Sequence, residues 1–139
     1  MDMGKRVAVI TGGASGIGRA VAAAMARRGI AAVALVDMSE AVEDVAAKLN
    51  AEAGRTFAVP FQGDTTDPEF RASVFDAMQG RYGAVTMCVP AAGITRDDLA
   101  VRVDKNTGKA RIYPQELFRQ VVEVNLIAPV YWALEMIGR

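Results

Sequence analysis

Four short apolar runs recur along the chain, and three segments with helical spacing separate them. The runs lie at 6–10, 32–36, 57–61 and 84–89. Parallel strands need a long connection that is usually a helix, so this alternation is typical of a doubly wound α/β sheet. Pro60 in the third run cannot donate a ladder hydrogen bond, which suits an edge strand. The sequence therefore predicts a parallel sheet of order 3-2-1-4, with a ligand crevice beyond the carboxyl ends of strands 1 and 4.

Helix-start and helix-stop residues bracket the three segments. Ser39 and Asp67 are capping residues, and a proline follows Asp67 at the first helical position. Glycine is common just beyond a helix, so we expect the helices to end at Gly29, Gly54 and Gly80. The side chains expected to face the core are Ile17, Val21, Ala24 and Met25 in the first helix, Val42, Val45, Ala46 and Leu49 in the second, and Phe70, Val74, Phe75 and Met78 in the third.

The pattern changes after the fourth run. Apolar residues at 101, 103, 110 and 112 alternate with charged residues around a Asn-Thr-Gly turn, which predicts a short β-hairpin with one charged face. Pro114 then opens a helix whose apolar pattern still runs at Arg139. Strand 4 would be an exposed sheet edge, and this helix would show apolar side chains to water. We therefore expect a truncated chain or one half of a split protein.

Composition excludes several classes of function. The chain has 139 residues with 16 Lys plus Arg against 16 Asp plus Glu, scattered along it, which argues against a nucleic-acid or anionic-membrane partner. One cysteine, Cys88, and no histidine leave no internal disulfide, no ordinary zinc site and no Ser-His-Asp triad within this chain, so we expect no metal. No window approaches the roughly 18 apolar residues of a spanning helix. We therefore expect a soluble, cytoplasmic protein without a membrane partner.

A glycine-rich turn lies between the first strand and its helix. It reads Thr-Gly-Gly-Ala-Ser-Gly-Ile-Gly over residues 11–18. Backbone N–H groups and the positive end of the helix dipole meet at such a position, and glycines let the backbone approach a pyrophosphate. Ser15 can add a hydroxyl donor. We interpret Gly12, Ser15, Gly16, Ile17 and Gly18 as a phosphate-binding turn; the alternative is that the glycines only permit a tight connection.

Asp37 ends the second strand, about twenty residues beyond the glycines. An acidic side chain there can accept hydrogen bonds from an adenosine ribose and would repel a 2′-phosphate. Neither Ala14 nor the residues Met38 and Ser39 supply a cation for that phosphate, so NAD is favoured over NADP. Capping of the next helix is the alternative role of Asp37, and both roles can hold together.

Together these residues resemble the short-chain dehydrogenase/reductase family. The resemblance rests on T-G-x-x-x-G-x-G after strand 1, Asp37, Gly63-Asp64 after strand 3 and Ala92-Gly93 after strand 4. It implies a Rossmann fold that binds NAD or NADP, with residues 1–139 as the incomplete N-terminal half of the domain. It further implies that Asp64 hydrogen-bonds the adenine amino group with Thr65 beside it, although Asp64 could be only a loop residue. Where the family has N-N-A-G, this chain has Pro90-Ala91-Ala92-Gly93, whose main chain is expected to contact the cofactor.

Asn125 matches the asparagine of the family's catalytic tetrad, which holds a proton-relaying water. Pro129 lacks the N–H that would bond the carbonyl of Asn125, so we expect the helix to bend there. A solvent-facing asparagine is the alternative. The family's Ser and Tyr-x-x-x-Lys are missing, because none of the three tyrosines is followed four residues later by lysine.

The function implied by the resemblance is hydride transfer between a nicotinamide and a carbonyl or hydroxyl substrate. The segment 94–97 and the hairpin are similar to those of relatives acting on 3-oxoacyl or 3-hydroxyacyl thioesters or steroid-like compounds. Alternatively, the segment is only a loop, and the hairpin is a surface decoration or a subunit contact. The alternative is a catalytically inactive dinucleotide-binding or sensing module. The expected partners are a small-molecule substrate, together with further copies in a homo-oligomer or a second chain carrying the C-terminal half.

Overall fold

The sheet has four parallel strands, β1 Val7–Thr11, β2 Ala32–Asp37, β3 Ala58–Gln62 and β4 Met87–Pro90. Their order is β3-β2-β1-β4, as predicted. The structure is a computed structural model, and it describes residues 2–139. Pro60 lies in the edge strand β3, opposite Leu35 of β2.

Helices cover both faces of this sheet. On one face, α1 Gly16–Arg27 and α2 Ala41–Ala53 pack on the β1 and β2 side chains that include Ile10 and Leu35. On the other face, α3 Pro68–Tyr82 and the last helix pack on the alternate side chains of the same two strands. Because both faces of β1 and β2 are buried, these strands are continuous apolar runs.

The helix ends and inward faces depart from prediction in three places. Ile17 is 76% exposed, and the buried face of α1 is instead Gly18, Ala22 and Met25. The third helix continues through Gly80 to Tyr82, and the terminating glycine is Gly83 with φ +85°. A glycine inside a helix costs only about 1 kcal/mol relative to alanine, so Gly80 does not end this helix. In α3 the buried set is Arg71, Val74, Phe75 and Met78, with Phe70 only half-buried.

The other predicted helix signals hold. Gly29 and Gly54 have φ of +74° and +64°, as expected for residues that end helices. Ser39 accepts the N–H of Ala41 at 3.2 Å, although the cap position itself falls on Glu40. The predicted inward residues of α2, namely Val42, Val45, Ala46 and Leu49, are all buried.

A hairpin and a long helix complete the fold. Strands β5 Val101–Val103 and β6 Ala110–Ile112 pair antiparallel, as predicted, and all six residues are exposed. The helix consists of α4 Gln115–Val122, a π-helical turn Glu123–Ile127 and α5 Ala128–Gly138.

This helix corrects one expectation. Its 24 residues, Gln115–Gly138, are long and apolar enough to cross a membrane by length and composition alone. Glu123 and Glu135 interrupt the apolar run of this helix, but its mean hydropathy stays high. Trp132 on the same helix is buried against the sheet, so part of the helix belongs to the core of this domain.

The sheet edge and the outer helix face are uncovered, as predicted. Among the described residues, β4 pairs only with β1, and Met87 and Val89 of β4 are only partly buried. Apolar side chains on the last helix face water: Leu126, Ile127, Val130, Tyr131, Leu134 and Ile137.

Candidate functional site

A groove of about 660 Å³ lies at the carboxyl ends of the parallel strands. All the predicted cofactor-binding residues except Gly18 line it: Gly12, Ser15, Gly16, Ile17, Asp37, Asp64, Thr65, Ala91, Ala92 and Gly93. Gly18 lies behind the turn, where a Cβ would overlap the carbonyl of Gly12. The structure therefore brings the sequence-predicted residues together at one site.

Gly12 lets the turn after β1 touch the loop after β4. Its φ is +69°, and a Cβ there would lie 2.7 Å from the carbonyl oxygen of Ala91 and from the amide nitrogen of Ala92. Gly16 has φ +49°, with open space around its missing side chain. A larger residue at Gly12 would therefore push the two loops apart and open the floor of the groove.

The N-terminus of α1 faces the groove without a side-chain cap. Ser15 is the capping residue, its backbone is extended, and its hydroxyl makes no cap hydrogen bond. The first turn contains no acidic residue. Its N–H groups and the positive end of the helix dipole are thus available to an anion, and the exposed Ile17 side chain stands at the same rim.

Asp37 supports the glycine turn and also faces the groove. One carboxylate oxygen accepts the N–H of Ala14 at 2.9 Å, and the other accepts the N–H of Ser39 at 3.0 Å. The N–H of Gly13 donates to the carbonyl of Val36 at 3.0 Å. Within the described residues, Arg96 is the only cation that lines the groove. The end of the groove at Asp37 is therefore negative.

The loop after β3 is fixed by its own side chains and by Trp132. One oxygen of Asp64 accepts the N–H of Thr66 at 2.9 Å and its hydroxyl at 2.8 Å. Thr65 is buried, and its carbonyl accepts the indole N–H of Trp132 at 2.9 Å. The sequence analysis did not predict the Trp132 contact. The available signal was that a buried indole N–H needs a hydrogen-bond acceptor.

Thr11 holds the loop after β4. Its carbonyl accepts the N–H of Ala91, and its hydroxyl accepts the N–H of Ala92, both at 3.2 Å. The loop lacks the asparagines that the resemblance led us to expect. Thr11 supplies part of the positioning in this chain, at the junction of β1 and the glycine turn.

Asn125 clamps the same loop further along. Its side-chain oxygen accepts the N–H of Ile94, and its side-chain amide donates to the carbonyl of Ile94, both at 2.8 Å. The predicted disturbance of the helix is present as the π turn Glu123–Ile127. Asn125 does not line the groove itself. In this structure it is a positioning residue for Ile94, and its catalytic role stays a prediction.

Sequence reasoning did not assign several groove residues, of which three directly follow a predicted residue and four lie in the later part of the chain. These are Met38, Thr66, Ile94, Arg96, Gln120, Glu123 and Val124.

In the part of the chain that the structure describes, neither Cys88 nor a metal cluster adds chemistry to the site. Cys88 lies in β4, where burial raises the pKa of its thiol to about 11, so it is not a nucleophile at neutral pH. No group of three or more metal-ligating His, Cys, Asp or Glu residues occurs within residues 2–139. The arrangement is suited to holding an anionic nucleotide.

Comparison with known proteins gives one family over nearly the whole chain. Residues 6–137 match the short chain dehydrogenase family. Over 124 residues, the chain is 35% identical to cis-4-hydroxycyclohexanecarboxylate dehydrogenase of Sinomonas cyclohexanicum, covering 88% of this chain and 44% of that protein. It is 34% identical over 134 residues to NAD-dependent glycerol dehydrogenase of Listeria innocua, covering 96% of this chain and 46% of that protein. The chain thus spans about half the length of the curated relatives it matches.

A solved structure agrees with the fold. The crystal structure of a short-chain type dehydrogenase/reductase from Mycobacterium marinum superposes with a TM-score of 0.79 at 29% sequence identity. The match covers 97% of this chain and 50% of that one. The parallel sheet of order 3-2-1-4 is therefore the Rossmann-like sheet of that structure.

Proposed function

Because this chain belongs to the short chain dehydrogenase family, we propose that it forms the NAD-binding, N-terminal half of a dehydrogenase domain. The whole enzyme is an oxidoreductase that transfers hydride between a nicotinamide and a carbonyl or hydroxyl substrate. The observation that carries the proposal is the open N-terminus of α1, which faces a groove lined by the predicted cofactor residues. Bound NAD supplies the hydride acceptor or donor.

The groove fits each part of the dinucleotide. The N–H groups around Ser15 and Gly16 would hold the pyrophosphate, because they are uncapped and carry the positive end of the dipole. Asp37 would accept hydrogen bonds from the adenosine ribose. Asp64 would meet the adenine, and the main chain from Ala91 to Gly93 would lie beside the nicotinamide end.

NAD rather than NADP is proposed because of the negative end of the groove. The Asp37 carboxylate would repel a 2′-phosphate, and no cation of the groove lies next to Asp37 in sequence. A relative described as NAD-dependent supports this choice. Calorimetric titration should give an affinity for NAD that is more than about tenfold higher than the affinity for NADP. The Asp37→Asn substitution should reduce this ratio of affinities. Equal affinities in the parent chain would contradict the NAD preference.

The proposed substrate is an alcohol or the corresponding carbonyl compound. Two relatives are named for hydroxyl-bearing substrates, an alicyclic hydroxy acid and glycerol. Acyl thioesters and steroid-like compounds stay within the same proposal. The relatives are dehydrogenases, so the inactive sensing module is not favoured.

The serine and the Tyr-x-x-x-Lys segment are proposed to come from a second polypeptide segment. The free edge of β4 can accept a further parallel strand, and the partly buried Met87 and Val89 can receive the helix that accompanies it. The apolar face of the last helix fits a homo-oligomer contact. The cytoplasm is the proposed location, since the chain's single cysteine serves no internal disulfide.

The intact mass and turnover of the protein from its native cells test this assignment. A 14.8 kDa chain that copurifies with a Tyr-x-x-x-Lys chain and reduces NAD supports a two-chain enzyme. A mass near twice that value, with the motif in the added part, supports the same chemistry in one chain. A 14.8 kDa protein without any NAD turnover would overturn the oxidoreductase proposal.

A further inference from the structure

A second cavity adjoins the groove on the far side of the loop that Asn125 clamps. We name it the hairpin chamber; its volume is about 370 Å³ and its main walls are Ile94, Ala100, Tyr113, Phe118, Val121 and Asn125. Ile94 and Arg96 line both the chamber and the groove, so the two spaces meet at these residues. The volume lies at the small end of the range for ligand pockets.

Three charged residues line the chamber, namely Arg96, Asp97 and Asp98. Arg96 donates to the carbonyl of Thr95 at 2.8 Å. Both oxygens of Asp98 are paired, one with Arg102 at 2.6 Å and the other with Arg111 at 2.8 Å. Most of the remaining wall is apolar or aromatic, with one amide, Asn125, and Phe118 is 61% exposed. Apart from the paired Asp98, the described lining residues hold one cation and one carboxylate, so the lining has no excess charge of either sign and favours an uncharged ligand.

The outer wall is held in place before any ligand arrives. Asp98 bridges both strands of the hairpin through Arg102 on β5 and Arg111 on β6. The Tyr113 hydroxyl donates to the carbonyl of Arg96 at 2.5 Å, and the Tyr113 N–H donates to the carbonyl of Ala100 at 2.9 Å. The N–H of Leu99, followed by the two arginines, keeps the pKa of Asp98 below its usual range, so this carboxylate is charged at neutral pH. The hairpin is thus latched to the loop that borders the groove.

We propose that the hairpin chamber binds a compact, uncharged apolar group, such as an alicyclic ring or a short branched aliphatic chain. The further step, that this group is part of the substrate, rests on the proposed oxidoreductase function. The residues that flank the hairpin, Ala100 and Tyr113, then act as a specificity element, because they line the chamber and limit the size of the group. Ile94 and Arg96 would lie between that group and the nucleotide.

Binding of cyclohexanol as a probe tests the chamber without requiring turnover. Saturation-transfer NMR titration of the chain should show saturable binding of cyclohexanol and none of glycerol, the polar probe. Ala100→Trp fills the chamber and should weaken cyclohexanol binding by more than about tenfold. The matched control is Ala110→Trp, which places the same ring on exposed β6 outside the chamber and should leave the binding unchanged.

NAD affinity measured on the same samples separates this inference from the proposed function. Both tryptophan variants should bind NAD as the parent does, which also shows that they are folded. A parent chain that binds no cyclohexanol, or an Ala100→Trp chain that binds it unchanged, would overturn the chamber. Cyclohexanol binding that is lost only in Ala100→Trp supports the chamber even where NAD does not bind, and the failure then belongs to the proposed function.

Discussion

Helices α1 and α3 both begin at the carboxyl ends of the parallel strands, but only α3 has a side-chain cap at its N-terminus. At α3 the carboxylate of Asp67 accepts the N–H groups of Glu69 at 2.8 Å and Phe70 at 3.3 Å, with Pro68 at the first position. At α1 the capping residue Ser15 makes no such bond. A helix end with its donors satisfied contributes stability, whereas an end with free donors can bind an anion. The difference supports the proposal that α1 binds a ligand, because the first turn of α3 already has its donors satisfied within the chain.

The connections that lead into the two helices differ in the same sense. The turn before α1 is held from behind, by Asp37 and by the main chain of Val36, and its front faces open space. The loop before α3 is bonded on its own side by Asp64 and from beneath by Trp132. The chain is therefore braced on both sides at α3 and on one side at α1.

The largest expected effect comes from giving α1 the kind of cap that α3 has. Ser15→Asp should lower NAD affinity by roughly 100-fold or more, because a carboxylate would face the pyrophosphate. The same change should raise the free energy of unfolding by up to about 1 kcal/mol, since it caps the helix and complements its dipole. Calorimetric titration and chemical denaturation measure the two effects.

Ser15→Ala is the control, because it removes the hydroxyl without adding charge. It should lower affinity by no more than about tenfold. If Ser15→Asp binds NAD as well as Ser15→Ala does, the pyrophosphate does not lie at α1.

Removal of the brace beneath the α3 loop should mainly affect stability. Trp132→Phe keeps an aromatic ring but leaves the buried carbonyl of Thr65 without its donor, which should cost about 1–3 kcal/mol of unfolding free energy. Denaturation followed by circular dichroism measures the loss. Tyr131→Phe, on the exposed neighbouring position, is the control and should change stability little. A Trp132→Phe variant as stable as the parent would show that the loop does not depend on this bond.

The α3 cap gives a smaller effect with no cost to binding. Asp67→Ala should lower the free energy of unfolding by about 1 kcal/mol, and Asp67→Asn should retain most of it because asparagine also caps well. NAD affinity should be unchanged in both. A loss of NAD binding in Asp67→Ala at full folding would break the division between a structural and a binding helix end.

The smallest effect concerns the ion pairs that join α3 to α5. The carboxylate of Glu135 pairs with Arg139 at 2.8 Å and with Arg71 at 3.3 Å. Both arginines lower the pKa of this carboxyl, and Arg139 has the larger effect. A lowered folded-state pKa gives stability that is present above the unfolded-state pKa and is lost as the pH falls through the folded-state pKa. At neutral pH, Glu135→Gln should be less stable by under about 1 kcal/mol, because the pair is partly screened by solvent.

Thermal unfolding across the acid range measures this prediction. The difference in stability between the parent and Glu135→Gln should close as the pH is lowered. Glu123→Gln changes an exposed residue in the middle of the last helix that forms no ion pair within the described chain, and it should follow the parent throughout. A gap that stays constant with pH would mean that the Glu135 charge contributes nothing.

Local and periodic signals predicted the parts of the structure that depend on them. Strand order followed from the alternation and Pro60, and the groove followed from the glycine turn and Asp37. The contacts that were not predicted join residues far apart in the sequence. Asn125 and Ile94 are separated by 31 residues, and Trp132 and Thr65 by 67 residues. Ile17 was wrongly assigned to the core because helical spacing alone does not show which face a neighbouring strand covers. Residue spacing also did not predict the two salt bridges of Asp98 with Arg102 and Arg111.

Amide chemical shifts during an NAD titration test the central claim most directly. In a chain labelled with nitrogen-15, we expect saturable chemical-shift changes at the amides of Gly16, Ile17 and Gly18. The capped amides of Glu69 and Phe70 should show almost no change. Shifts that are absent, or that centre on Glu69 and Phe70 instead, would contradict the assignment of the open α1 terminus as the dinucleotide site.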